Sequence, residues 1–145
     1  MTPSERLQMV APCGIDCGIC ELFTCGENPA LMERLTARGI PGDKLPCPGC
    51  RAVEGRCPVI GETCATYACV IERRVHFCYQ CEDFPCERLH PAADRADVLP
   101  HNLKIHNLCV IQKRGAQGLI KQSKESKLRY FQGKMAIGKG PQSSD

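Results

Sequence analysis

Cys17-Gly-Ile-Cys20-Glu-Leu-Phe-Thr-Cys25 decides how this chain is read, because the pattern returns 61 positions later as Cys78-Tyr-Gln-Cys81-Glu-Asp-Phe-Pro-Cys86. Both stretches spell C-x-x-C-E-x-F-x-C. A third pair, Cys47-Pro-Gly-Cys50, lies between them, and 12 of the 13 cysteines fall within the first 86 residues. A C-x-x-C turn lets two thiolates grip one ion, and a second pair completes a tetrahedron. Repeated half-sites of this kind point to metal.

The twelve cysteines divide naturally into consecutive fours. These are Cys13, Cys17, Cys20 and Cys25; Cys47, Cys50, Cys57 and Cys64; and Cys69, Cys78, Cys81 and Cys86. An interleaved, cross-braced partition fits the spacings equally well. All twelve are candidate ligands for two or three zinc ions. Thiolates suit iron–sulfur clusters as well, so a cluster at Cys13, Cys17 and Cys20 is the alternative. The Cys13-x3-Cys17-x2-Cys20 spacing matches that of radical S-adenosylmethionine enzymes, but 145 residues are too few for their barrel. The common ferredoxin run is absent. His90, separated from Cys86 by three residues, is a possible replacement for Cys69. His106 and Cys109 share a predicted helix face and read as a half-buried pair. Glu21 and Glu82 are expected to cap knuckle amides or face water, and Phe23 and Phe84 to cover the metals.

Composition agrees that the fold needs help. Leu, Ile, Val and Phe make up only 31 of 145 residues, and there is no Trp. Chains below roughly 20% in these four residues tend to be disordered. A structural zinc site supplies on the order of 10–16 kcal/mol. No stretch resembles a signal peptide, and no run approaches the ~20 apolar residues of a membrane span. The expected placement is cytoplasmic, where thiols stay reduced and clustered cysteines mean metal or redox chemistry rather than disulfides.

The expected fold is a small α+β, metal-stabilised one. A zinc-knuckle-like, cysteine-rich domain with short helices and minimal strands fills residues 1–98. A basic helical extension packs on it over 99–132, and 133–145 is a flexible tail. Thr2-Pro3-Ser4-Glu5 reads as a capping box opening a helix to about Val10. Asn28-Pro29 starts a second helix and Gly39 stops it. Residues 40–64 read as loops with possible short hairpin strands, 66–74 as helix, and 75–77 as a brief strand. Further on, 99–113 and 116–132 read as two helices broken near Gly115, with Leu103, Leu108 and Ile111 lining one. Leu119, Ile120, Ser123 and Leu128 line the other.

Charge divides the chain too. Residues 101–145 carry a net +7 and residues 1–100 a net −4. The basic end, with Arg129 beside Tyr130 and Phe131, suits an acidic protein or a nucleic acid; its bland reading is a solvated helix face. The predicted role is therefore binding or adaptor work. Gly133-Lys-Met-Ala-Ile-Gly-Lys-Gly140 nearly spells a phosphate loop but lacks the magnesium-holding Ser or Thr, and Pro141 bars the helix that should follow. No hydrolase triad or paired-carboxylate site is visible. Asp16 ahead of Cys17-Gly-Ile-Cys20 leaves thiol-redox catalysis as a lesser reading.

Taken together, Cys13-Gly-Ile-Asp-Cys17-Gly-Ile-Cys20, Pro46-Cys47-Pro-Gly-Cys50-Arg51 and Cys78-x-x-Cys81-Glu-Asp-Phe-Pro-Cys86 resemble the landmarks of a cysteine-rich prokaryotic family. That family is known as domain of unknown function thirty-seven ninety-five. The resemblance covers about residues 11–90. It implies zinc binding and supplies no reaction. Many members end in a further cysteine pair, which this chain lacks.

Overall fold

The computed structural model describes residues 1–144. Helix α1 (Pro3–Gln8) begins where the sequence places it. The Thr2 hydroxyl accepts from the Glu5 amide while the Glu5 carboxylate accepts from the Thr2 amide, and Pro3 opens the first turn. Helix α2 (Glu21–Thr24) is a single turn inside the first cysteine repeat. Helix α3 (Pro29–Ala37) is capped by the Asn28 side chain, which accepts from the Leu31 amide, and it turns Leu31 and Leu35 inward. Helix α4 (Ala65–Glu72) buries Val70.

Helix α5 (Lys104–Gln132) is broken at Gly115, whose φ of 71° and ψ of 171° suit glycine alone. The break folds the segment back on itself. Asn107 donates to the Gly14 carbonyl at 2.9 Å, and Ser123 donates to the Asp16 carboxylate at 2.6 Å. A straight helix would hold residues 107 and 123 about 24 Å apart, yet their partners are two residues apart. The Tyr130 hydroxyl reaching the Leu99 carbonyl at 3.3 Å closes the open end. The result is a helical hairpin gripping the 10–20 loop.

Two small cores follow. Val10, Phe77, Leu89, Leu108, Ile111 and Leu119 form one, between the hairpin, the segment around Val10 and Cys13, and the second cysteine repeat. Leu22, Cys25, Leu31, Leu35 and Cys47 form the other, beneath α3. Sulfur is thus part of the packing.

Several expectations need correction. Residues 75–77 form no strand, and 40–64 hold a short 3₁₀ turn (Gly42–Lys44) and turns rather than strands. Among the described residues the only sheet is in the segment expected to be loose. Strands β1 (Lys134–Ala136) and β2 (Gly140–Gln142) pair antiparallel, with Met135 opposite Pro141. A three-residue turn, Ile137-Gly138-Lys139, lets the chain reverse there. Leu128 is exposed, and Ser126 takes the inward position expected of it. Residue 145, assigned to the tail, lies outside the described residues. No helix among those described is long and apolar enough to cross a membrane.

Candidate metal centre

The sequence repeat is also a backbone repeat. Cys17–Ile19 and Cys78–Gln80 are both 3₁₀ turns, each ended by an extended cysteine, Cys20 at φ −73° and ψ 140° and Cys81 at φ −78° and ψ 139°. Each cysteine carbonyl accepts from the amide three residues on. Cys17 accepts from Cys20 and Cys78 from Cys81, both at 3.1 Å. Cys20 accepts from Phe23 and Cys81 from Phe84, at 3.0 and 3.1 Å. Cys25 accepts from Asn28 and Cys86 from Leu89, at 3.1 and 3.0 Å. Turns of this kind leave amides free to point at sulfur. The Cys13, Cys20 and Cys47 sulfurs each face the amide two residues ahead, those of Ile15, Leu22 and Gly49. The Cys17 sulfur faces the Cys50 amide. Amide donors of this kind stabilise a thiolate.

All thirteen cysteines are free thiols, and twelve gather into three neighbourhoods. In the first, Cys17 and Cys64 each lie near both Cys13 and Cys50, with Cys20 near Cys17 and Cys57 near Cys50 at its border. Gly49, at φ 103°, lets the Cys47–Cys50 knuckle run close, because a Cβ there would stand 3.0 Å from Met9 Sδ and 3.7 Å from Cys17 Cβ. Cys64 is folded back through Gly55, whose amide donates to Cys50 at 2.9 Å and whose carbonyl accepts from Cys64 at 3.0 Å. In the second, Cys20, Cys25, Cys47 and Cys57 pack in the core under α3. The Leu22 carbonyl accepts from both the Cys25 thiol, at 3.3 Å, and the Cys47 amide, at 2.7 Å. In the third, Cys69, Cys78, Cys81 and Cys86 line one cavity of about 30 Å³, with Phe84 and Leu89 in its wall.

Consecutive fours therefore do not describe how the first eight cysteines pack, whereas the last four do stay together. Cys13 also faces Cys78, whose amide donates to the Pro12 carbonyl at 2.9 Å. As they stand the groups are not closed: among the described residues no three His, Cys, Asp or Glu side chains converge to hold an ion.

Burial pushes the thiols up, Cys50 and Cys78 to about 12 and Cys17 further. A neutral thiol is the natural state of a metal-free sulfur here, and a divalent ion supplies the charge that makes thiolates tolerable. Cations stand at each neighbourhood. Lys104 acts on Cys13 and Cys78, Arg51 on Cys50, and Lys127 on Cys20. Arg73 Nη1 approaches Cys81 Sγ at 3.5 Å while its other amine pairs with Asp83 at 2.6 Å.

The remaining candidates fall elsewhere. His90 is exposed, its Nδ1 2.7 Å from the Pro91 carbonyl, and it does not line the cavity. His106 is exposed rather than half-buried, and Cys109 belongs to none of the three groups. Glu21 and Glu82 are exposed. Phe84 lines the third group's cavity, but Phe23 faces a separate open pocket with Met1, Met9 and Pro48.

Sequence reasoning passed over Asp16 and Arg51 as structural groups. Asp16 is 4% exposed and holds Arg6 through two hydrogen bonds of 2.8 and 2.6 Å, the Gly18 amide at 3.0 Å, and Ser123. Arg51 binds the Val10 carbonyl at 2.9 Å and the His76 carbonyl at 2.8 Å, with its guanidinium 4.9 Å above the Phe77 ring. It thereby ties the segments that precede Cys13 and Cys78 to the residue following Cys50. The position of both beside cysteines was the one available signal.

Comparison with curated proteins gave no match, and neither did comparison with solved structures. A family model described as "Protein of unknown function (DUF3795)" matches residues 9–91, the span that holds all three cysteine groups. That match covers more than half of the chain, which belongs to this family.

Proposed function

We propose that this is a multi-zinc protein with a binding or adaptor role. Its cysteine-rich part takes two or three ions, and its basic helical hairpin presents the surface that meets a partner. The observation that carries the reading is the grouping of free thiols, Cys20, Cys25, Cys47 and Cys57 in one core and Cys69, Cys78, Cys81 and Cys86 around one cavity. A thin apolar core explains why the chain would need those ions to fold. Free thiols in this number also favour a reducing compartment such as the cytoplasm.

The packing favours zinc over a cluster at Cys13, Cys17 and Cys20. Cys20 packs in the core under α3, while Cys13 packs against the other core. Thiol-redox catalysis fares worse, since a reactive cysteine needs its thiol lowered and burial raises Cys17.

Of the basic residues, Lys113, Lys121 and Lys124 are exposed on the hairpin. Lys127 is engaged, donating to the Ile19 carbonyl at 2.9 Å. An acidic protein or a nucleic acid is the partner chemistry that such a surface suits. The deciding experiment is elemental analysis of anaerobically purified protein. Two or three zinc ions per chain are expected. Fewer than one metal in folded protein overturns the reading, and iron with matching sulfide replaces it with the iron–sulfur alternative.

A further inference from the structure

Two knuckles, Cys17-Gly-Ile-Cys20 and Cys47-Pro-Gly-Cys50, lie against each other, and their contact runs in opposite directions. The first cysteine of one meets the far end of the other, since a Cβ on Gly49, next to Cys50, would stand 3.7 Å from Cys17 Cβ. The last of the first knuckle then packs with the first of the second, Cys20 with Cys47, in the core that also holds Cys25 and Cys57. Each knuckle is therefore split between two neighbourhoods. The remaining cysteines follow their chain neighbours. Cys13 stays with Cys17, while Cys64 returns to Cys50 through the two Gly55 hydrogen bonds. Cys25 sits one turn beyond Cys20 and shares the Leu22 carbonyl with Cys47.

Resting on the metal-binding reading above, we propose that the first two metal centres are interleaved. One ion takes Cys13, Cys17, Cys50 and Cys64, a second takes Cys20, Cys25, Cys47 and Cys57, and a third takes Cys69, Cys78, Cys81 and Cys86. A cross-brace of this sort does what two independent knuckles would not. Removing either of the first two ions frees both the 13–25 and the 47–64 loops at one end, so the two sites fold as a unit. The third centre depends on α4 and the second repeat, and its connection to the others runs through Arg51, Phe77 and the Pro12–Cys78 hydrogen bond.

The arrangement is read directly from the wild-type protein loaded with NMR-active cadmium. A correlation between cadmium and cysteine β-protons is expected to give three metal signals, with Cys17 and Cys20 on different ions and Cys17 and Cys50 on the same one. Cys17 and Cys20 on one cadmium overturns the interleaving while leaving metal binding intact, and Cys13 on the ion of Cys78 and Cys81 overturns the membership of the first centre. Absence of any bound cadmium overturns the metal reading itself. Native mass spectrometry supplies the second measurement. Replacing both Cys17 and Cys20 by serine is expected to remove two ions, and replacing both Cys78 and Cys81 only one. Loss of a single ion from the first double variant sinks the interleaved arrangement.

Discussion

The two cysteine repeats share nine-residue patterns and backbone turns, yet the molecule uses them differently. The first, 17–25, sends its cysteines into two thiol neighbourhoods, while the second, 78–86, delivers all of them to one cavity. Their anchors differ as well. Asp16, just before Cys17, is a buried carboxylate satisfied by Arg6 of α1, by Ser123 of α5 and by the Gly18 amide. Phe77, just before Cys78, is a buried ring under Arg51, and Gln80 accepts the His76 and Phe77 amides in place of a capping side chain. One knuckle is bolted to the helical hairpin by charge, the other by apolar burial. A local motif sets the turn, and its surroundings set what the turn holds.

Metal removal is the most severe way to break the comparison. Chelation is expected to abolish cooperative folding over 13–86, each site forfeiting on the order of 10 kcal/mol, while 104–132 keeps part of its helix. Amide dispersion measures both. A chelated protein that still unfolds cooperatively would mean that the cores suffice. Loading is also expected to weaken as pH falls. Thiols raised by burial, Cys50 and Cys78 to about 12, must give up protons to bind, and acid opposes that release.

The anchors come next. Asp16→Ala leaves Arg6 and Ser123 without their partner and is expected to cost about 3–5 kcal/mol in urea unfolding. Phe77→Ala is expected to cost about 3–5 kcal/mol through the cavity it opens. Only the first effect should shrink when Arg6 and Ser123 are replaced beforehand, because only that anchor is polar. An Asp16→Ala cost below 1 kcal/mol would remove the carboxylate from its anchoring role.

Gly115→Ala asks whether the hairpin turn is required by both repeats. Nothing crowds a Cβ there, so the penalty is backbone strain alone, about 1–3 kcal/mol. Matching losses at the Asp16 and Phe77 environments, followed by NMR shifts, are expected because both face the same hairpin. The smallest effect belongs to Cys109→Ser. It should leave metal content unchanged and move stability by no more than about 1 kcal/mol, since Cys109 lies outside all three groups. Loss of an ion from this variant would overturn the ligand set.

Much of the local structure was legible because its causes are local. The capping box at Thr2, the Asn28 cap and the helix break at Gly115 all depend on residues within a turn of each other. The strand expected at 75–77 failed because the Gln80 side chain takes up the amides that a ladder would have used. The hairpin at 134–142 was missed because glycines that look like a loose tail also supply its tight reversal.

By itself, the sequence determined the family, the twelve candidate thiols, the turns that carry them and the charge that divides the chain. Which cysteine faces which was decided only by the tertiary structure. Spacing controls how far apart two thiols lie along the backbone, and consecutive and crossed partitions satisfy it alike. The crossed partition proposed above rests on long-range contacts, Gly49 against Cys17 and Leu22 against Cys47, which, like those of the folded hairpin with Gly14 and Asp16, leave no periodic trace in the chain.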